Sequence, residues 1–222
     1  GGDGYGEIEE GREGRSGGLG APIYTPFGGG DQVRDKDRRL KTKALDFSGP
    51  GKEARIEVTP MQETDLEEVL RIEASSFSCP WTAEMFRYEL RGTSISSCFV
   101  AKESTSQTGS CGGRVLGYIC IWVVGDEMQI ANLAVHPSWR RKGIGRILLS
   151  YALRFGSQRQ ARRVFLEVRA SNLAAQRLYR GFGFEVVGVR KGYYRFPPED
   201  AVVMALDMRG PWCAEPSRPK SS

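Results

Sequence analysis

The sequence is poor in histidine, and its cysteines follow no pattern. A single histidine, His136, leaves little room for a His-based metal site or a His-relayed triad. The five cysteines, Cys79, Cys98, Cys111, Cys120 and Cys213, are odd in number and share no metal or redox spacing. They read as reduced thiols in a cytoplasmic protein, and no metal is expected. Long apolar runs are also missing. None reaches the length of a membrane span, and the N-terminal stretch lacks the apolar core of a signal peptide. Methionine is absent until Met61, so the start reads as a fragment, a processed end or a doubtful start, and no function is built on it.

Apolar periodicity is missing from the first quarter of the chain. Residues 1–54 hold 14 of the 28 glycines, with Gly17-Gly18, Gly28-Gly29-Gly30 and a charged run from Asp31 to Lys43. Such a segment buries too little apolar surface to offset its chain entropy. The expected organisation is a disordered tail over 1–53, one α/β domain over 54–209 and a short polar tail over 210–222. A formal net charge of +5 invites a nucleic-acid reading. The basic residues are scattered or gathered at one loop, however, and no nucleic-acid-binding motif is present. A basic surface without direct nucleic-acid or membrane contact is the simpler reading.

What is present centres on residues 128–150. Ile130 to Val135 is a nearly continuous apolar run, read as a strand covered on both faces, and Pro137 ends it. A basic and then glycine-rich loop follows: Arg140, Arg141, Lys142, Gly143, Ile144, Gly145. Beyond it Ile144, Ile147, Leu148, Tyr151, Ala152 and Phe155 recur at helical spacing. Strand, cationic loop and helix N-terminus in that order aim backbone N–H groups and the positive end of a helix dipole at one spot. This is a polyphosphate cradle. A Walker loop is excluded, because no Gly-Lys-Ser/Thr stands here, and a dinucleotide fingerprint needs a glycine where Leu148 stands.

Around this centre the elements read as follows. Arg55–Thr59 alternates as a strand, and Thr64-x-x-Glu67 reads as a capping box before a helix with Leu66, Val69, Leu70 and Phe77 inward. Cys79-Pro80-Trp81 breaks it, and Thr82 starts a second helix with Met85, Phe86 and Leu90. Strands are expected over Cys98–Ala101 and Val115–Val124, with a polar loop from Ser104 to Gly113 between them. After the central helix, Val164–Arg169 is a strand carrying one carboxylate, Glu167, within an apolar run. Ser171 or Asn172 caps a helix with Ala174, Ala175, Leu178 and Phe182 on one side, ended by Gly181 and Gly183. Phe184–Val189 and Ala201–Leu206 form a last strand pair, joined by an aromatic loop over 192–198. The sum is a mixed α/β sheet of about seven strands with four helices, the fourth and fifth strands parallel across a right-handed helical crossover.

The pattern Arg140-x-x-Gly143-x-Gly145 resembles the pyrophosphate loop of the GCN5-related N-acetyltransferases (GNAT), which bind acetyl-coenzyme A. Five further pieces extend that likeness: Cys79-Pro80-Trp81, Asn132-Leu133-Ala134-Val135, Leu166 to Asn172, Leu178-Tyr179 with Gly183-Phe184, and Tyr193-Tyr194. Together they resemble the RimI-like branch, which acetylates the N-terminal alanine of a small-subunit ribosomal protein. The likeness runs from about Arg55 to Met208. It implies a GNAT fold splayed around acetyl-coenzyme A, with Glu167 as general base and Tyr179 as general acid. It implies a donor site built from Leu133, Ala134, Val135, Arg140, Arg141, Lys142, Gly143, Ile144, Gly145, Arg146, Asn172 and Tyr179. Phe77, Trp81, Tyr193 and Tyr194 are the candidates for the wall around an acceptor peptide. The expected partner is a protein N-terminus. The readings that compete are a GNAT enzyme acting on a small-molecule amine, and a non-catalytic acyl-coenzyme A-binding or ribosome-associated module.

Overall fold

The structure, a computed structural model, describes residues 54–91, 94–105 and 113–209. Both expected tails, most of the expected 104–113 loop, Cys111 and Cys213 lie outside the described residues.

Seven strands make one sheet: β1 (Ala54–Pro60), β2 (Ser96–Thr105), β3 (Val115–Val124), β4 (Glu127–Val135), β5 (Arg163–Arg169), β6 (Glu185–Arg195) and β7 (Pro198–Asp207). Their spatial order is β1-β2-β3-β4-β5-β7-β6, antiparallel throughout except for the parallel β4–β5 pair. Four α-helices cover it: α1 (Leu66–Ala74), α2 (Ala83–Leu90), α3 (Ile144–Gln158) and α4 (Leu173–Arg180). α3 is the crossover between β4 and β5, as the sequence indicates.

The two faces of the sheet carry separate cores. On one, Leu148, Leu149, Ala152 and Leu153 of α3 pack with Tyr179 of α4 on Leu116, Ile119, Met128, Val164, Leu166 and Met204. On the other, Leu66, Val69 and Ile72 of α1 and Phe86 of α2 pack on Val100, Tyr118, Cys120 and Ala134. The three leucines of α3 are wholly buried, and each contributes about 1.5–3 kcal/mol.

Two features of β4 set up the site. Its register against β3 slips between Cys120 and Ile121, so Asn132 opposes Cys120, Ile130 opposes Ile121, and Ala131 has no opposite number. This bulge exchanges the two faces along the strand. Met128 and Ile130 lie in the α3 core and so do Leu133 and Val135, whereas Ala134 packs under α1 and α2. The second feature is the brevity of the β4–β5 ladder, which covers only Glu127–Arg163, Met128–Val164 and Gln129–Phe165.

Several local expectations are corrected. A 3-10 turn, Glu63–Asp65, precedes α1, and the capping contact runs from the Gln62 N–H to the Asp65 carboxylate at 3.0 Å, two residues earlier than Thr64 and Glu67. The buried face of α1 includes Ile72 and Glu73, and Phe77 lies beyond the helix end. In α4 the buried residues are Gln176 and Tyr179, while Ala174 is exposed. The expected 192–198 loop is mostly strand: β6 continues to Arg195, and the turn narrows to Phe196-Pro197, joined by a cis peptide bond. Gly192 at φ +58 and a register slip between Arg190 and Tyr194 let the strand carry Tyr193 and Tyr194 onward. Glycine and two prolines suggest a break that edge-strand pairing overrides.

Candidate active site

The loop expected to form an anion cradle runs from the end of β4 into the N-terminus of α3. Gly143 is the N-cap of α3 with φ +84, a left-handed conformation in which a β-branched residue is strained. Arg141 is also left-handed, at φ +63. The first helical hydrogen bond is Ile147 N–H to Gly143 O at 3.1 Å. The N–H groups of Ile144, Gly145 and Arg146 therefore open the helix without intrahelical partners. Gly145 has a different role from Gly143. A Cβ there would lie 3.3 Å from Leu178 Cδ2 and 3.8 Å from Val135 Cγ2, so its bare Cα lets α3 approach α4 and the end of β4.

The three cations of the loop also differ. Arg141 is exposed, and Lys142 Nζ sits 4.5 Å from the centre of the Trp139 ring. Arg140 folds back: its Nε donates to Val135 O at 3.1 Å and its Nη2 to Ser76 Oγ at 3.0 Å. It ties the end of β4 to the segment after α1. Exposed Arg146, in the first turn of the helix, adds a fourth positive charge. Unpaired amides and cations around one helix end suit a phosphate-bearing group.

Beside the cradle lies an open strand edge. His136 N–H donates to Leu116 O at 2.9 Å. By the alternation of an antiparallel ladder, Ala134 and Asn132 also turn their backbone groups to β3, and Leu133 and Val135 turn theirs the other way. That way lies β5, whose pairing has already stopped at Gln129. Of the expected donor-site residues, Leu133 and Val135 thus face the gap, and Ala134 is held by β3. Asn172 caps α4, its Oδ1 accepting the Ala175 N–H at 3.1 Å. The His136 Nδ1 accepts the Ser138 N–H at 3.2 Å.

Glu167 and Tyr179 lie on opposite faces of β5. Val164, Leu166 and Val168 enter the α3 core with Tyr179, so Glu167 projects from the other side. Its side chain is 10% exposed but far from bare. Gln129 Nε2 donates to Oε2 at 2.9 Å, and Arg190 Nη2 stands 3.2 Å from Oε1. The apolar flanks of Glu167 in sequence hide both partners. Burial pushes the Tyr179 phenol well above its ordinary range, and the neighbouring Tyr194 adds to the shift. The Tyr194 phenol is itself raised to about 12, chiefly by burial, with Tyr193 and Glu167 contributing and Arg169 opposing. Tyr194 thus links the surroundings of Glu167 to those of Tyr179. The Tyr193 and Tyr194 rings meet edge to face with centroids 5.2 Å apart. Arg169 stacks 4.1 Å from the Tyr194 ring and donates to Phe196 O at 2.9 Å and Pro197 O at 3.1 Å, fixing the β6–β7 turn.

Across the sheet, the segment between α1 and α2 is held by a residue that periodicity does not single out. Glu73 is 1% exposed. Its carboxylate accepts the Trp81 N–H at 2.8 Å, both oxygens lie 3.3 Å from Asn132 Nδ2, and the Tyr118 hydroxyl donates to Oε2. Burial raises its pKa to about 7 against the opposing hydrogen bonds from Trp81 and Asn132. Trp81 is partly buried beside Phe86, with ring centroids 5.3 Å apart, and Phe77 packs in the same core. The four expected acceptor-wall residues therefore fall in two groups, Phe77 with Trp81 and Tyr193 with Tyr194, and the second adjoins Glu167. Among the described residues, no group of three or more His, Cys, Asp or Glu side chains is placed to hold a metal. No described helix is long and apolar enough to cross a membrane.

An open strand edge beside a helix-end anion cradle, with a carboxylate and a buried phenol on the adjoining strand and helix, is the build of an acyl-transferring enzyme. The chain belongs to the acetyltransferase (GNAT) family, whose sequence model matches residues 66–184. It is 39% identical over 147 residues to a Bacillus subtilis protein provisionally named a ribosomal protein bS18-alanine N-acetyltransferase, a match covering 66% of this chain and 92% of that one. A Mycobacterium tuberculosis relative named N-alpha-acetyltransferase RimI is 33% identical over 162 residues, 70% of this chain and 95% of that one. The crystal structure of the ribosomal-protein-S18-alanine N-acetyltransferase from Escherichia coli aligns with a TM-score of 0.59 and 31% identity, covering 69% of this chain and 94% of that one.

Proposed function

We propose that the protein transfers the acetyl group of acetyl-coenzyme A to the N-terminal amine of a small-subunit ribosomal protein, with the alanine of bS18 as acceptor, in the cytoplasm. The catalytic unit is residues 54–209. The observation that carries the reading is the placement of Glu167. It is a nearly buried carboxylate beside the point where β4 and β5 part, and Tyr193 and Tyr194 adjoin it. Two of the relatives reported above carry alanine acetylation of this ribosomal protein in their names, and the third carries N-alpha acetylation.

The chemistry follows from the groups present. The N–H groups of Ile144, Gly145 and Arg146, with Arg141, Lys142 and Arg146, hold the pyrophosphate of the donor. The outward-turned backbone of Leu133 and Val135 pairs with its pantetheine arm and polarises the thioester carbonyl. A peptide amine has a reference pKa near ~8 and is partly protonated at neutral pH, so it needs a base. Glu167 takes that proton, directly or through one water. The neutral nitrogen then attacks the carbonyl carbon, the C–S bond breaks, and the acetyl group stays on nitrogen. The departing sulfur receives a hydrogen bond and then a proton from Tyr179, and the second proton, shed by the nitrogen as it becomes an amide, returns through water to the Tyr179 oxygen. Burial keeps that phenol protonated, so the donor is present throughout the physiological pH range. Arg190 pairs with Glu167 and holds the carboxylate in place.

The test is thiol release with acetyl-coenzyme A and a short Ala-initiated peptide, followed by intact-mass analysis of a ribosomal extract. Turnover with a single acetyl added to one ribosomal protein is expected. Turnover on small amines with none on peptides would overturn the reading.

A further inference from the structure

One cavity shares only Trp81 with the groups used so far. It measures about 300 Å³ and is lined by Trp81, Glu84, Met85, Tyr88, Glu89 and Trp122. Its place relative to Glu167 follows from the register. Trp122 of β3 pairs with Gln129 of β4, and the Gln129 side chain reaches Glu167 on β5. Trp122 is therefore two strands from Glu167, roughly 10 Å at the usual strand spacing. The Glu73 carboxylate holds the Trp81 backbone at the opposite wall.

The chemistry of the walls is specific. Glu89 is partly buried, and its Oε2 accepts the Trp122 indole N–H at 2.8 Å and the Ser96 hydroxyl. Both donors are neutral, and among the described residues no Lys or Arg pairs with Glu89. Among the described residues its negative charge thus has no cationic partner, and it stands beside two indoles, a phenol and a thioether. The second carboxylate, Glu84, stands exposed on the same rim, 3.7 Å from Arg87. Indole faces attract cations, and a carboxylate at the edge of an aromatic pocket adds to that attraction. A planar guanidinium fits both, by stacking on the rings and by forked hydrogen bonding to the carboxylate.

From this charge complementarity we infer that the pocket binds an arginine side chain of the acceptor polypeptide, downstream of the acetylated N-terminus. The assignment rests on the proposed acceptor being a polypeptide. An extended chain rises about 3.3 Å per residue, so roughly three residues span the distance from Glu167. The arginine therefore stands close to the third residue after the N-terminus.

The experiment compares two Ala-initiated peptides that differ at the third residue after the N-terminus, Arg in one and Gln in the other. For the unaltered full chain, the Arg peptide should show a roughly tenfold lower KM at similar kcat. Glu89→Gln keeps the acceptor for Trp122 and Ser96 but removes the charge, so it should erase that preference and leave the Gln peptide unaffected. Met85→Lys supplies a competing cation from the partly buried wall and should erase it independently. Calorimetry with the acetylated forms of both peptides reads the pocket without turnover. If no peptide is acetylated but arginine-dependent binding survives and is lost in Glu89→Gln, the transfer reading fails and the subsite stands. Equal KM and equal binding for the two peptides, or a preference untouched in both variants, overturns the subsite.

Discussion

Glu73 on α1 and Asn132 beside the β4 bulge meet in the interior, with the Asn132 amide nitrogen 3.3 Å from both carboxylate oxygens. Trp81 and Tyr118 complete the donors, so one carboxylate joins the α1–α2 segment to the two central strands. Such a group makes stability depend on pH. Its folded pKa of about 7 lies above the ordinary value of 4.5. Below pH ~4.5 both states are protonated. As pH rises towards 7, the unfolded chain ionises first and the folded state loses stability, by ~3 kcal/mol in all. Glu73→Gln has no charge to bury. Melting followed from pH 4.5 to 8 should show the wild type falling relative to the variant, and parallel curves would remove the assignment.

Glu167→Gln preserves size and the contact with Gln129. It should lower turnover by about 10² to 10⁴ while leaving acetyl-coenzyme A affinity and melting temperature nearly unchanged. The residual rate should climb with pH as the peptide amine loses its proton unaided. Turnover against pH on an Ala-initiated peptide reads both, and wild-type speed at neutral pH would exclude Glu167 as the base.

Tyr179→Phe keeps the ring that packs 5.6 Å from Phe184. Folding and donor binding should survive, and departure of the sulfur should slow by about 10²-fold or more. A thioester with a more acidic thiol should partly rescue it. The ratio of rates on the two donors is the measurement, and an unchanged ratio would place Tyr179 outside the chemistry.

The cradle glycines should fail differently. Gly143→Val opposes the φ of +84, so it should deform the loop and weaken acetyl-coenzyme A binding severely. Gly145→Val pushes into Leu178 and Val135 and should cost stability as well as binding. Arg140→Ala should lower the melting temperature too, because it unties Val135 O from Ser76. Calorimetry paired with melting separates these effects.

How far the sequence reaches depends on the range of the forces involved. The β3 limits, the cradle and the α3 crossover rest on local periodicity and turn chemistry, and these are legible in the chain. The α1–α2 break at Cys79-Pro80-Trp81 is equally plain. Glu73 is not, because a charged residue beside Ile72 reads as solvent-facing until Trp81, Tyr118 and Asn132 converge on it from three other elements. Gln129 and Arg190 escape for the same reason: only the folded sheet brings them to Glu167. The bulge at Ala131 leaves no compositional trace, since a one-residue slip within an apolar run changes faces without changing hydrophobicity. The Tyr193-Tyr194 strand was masked by nearby Gly192, Pro197 and Pro198, whose local preferences yield to pairing with β7.

The three-pair β4–β5 ladder gives one strand two rates of exchange with solvent. Asn132 and Ala134 turn their amides to β3, while Leu133 and Val135 turn theirs to the gap. In heavy water the amides of β4 beyond the bulge at Ala131 should lose their protons in alternation, slow at Asn132 and Ala134 and fast at Leu133 and Val135. Acetyl-coenzyme A bound against that edge should slow the second pair and leave the first unchanged. The donor would then complete the sheet for as long as it stays, standing in for a stretch of strand that the chain itself does not supply.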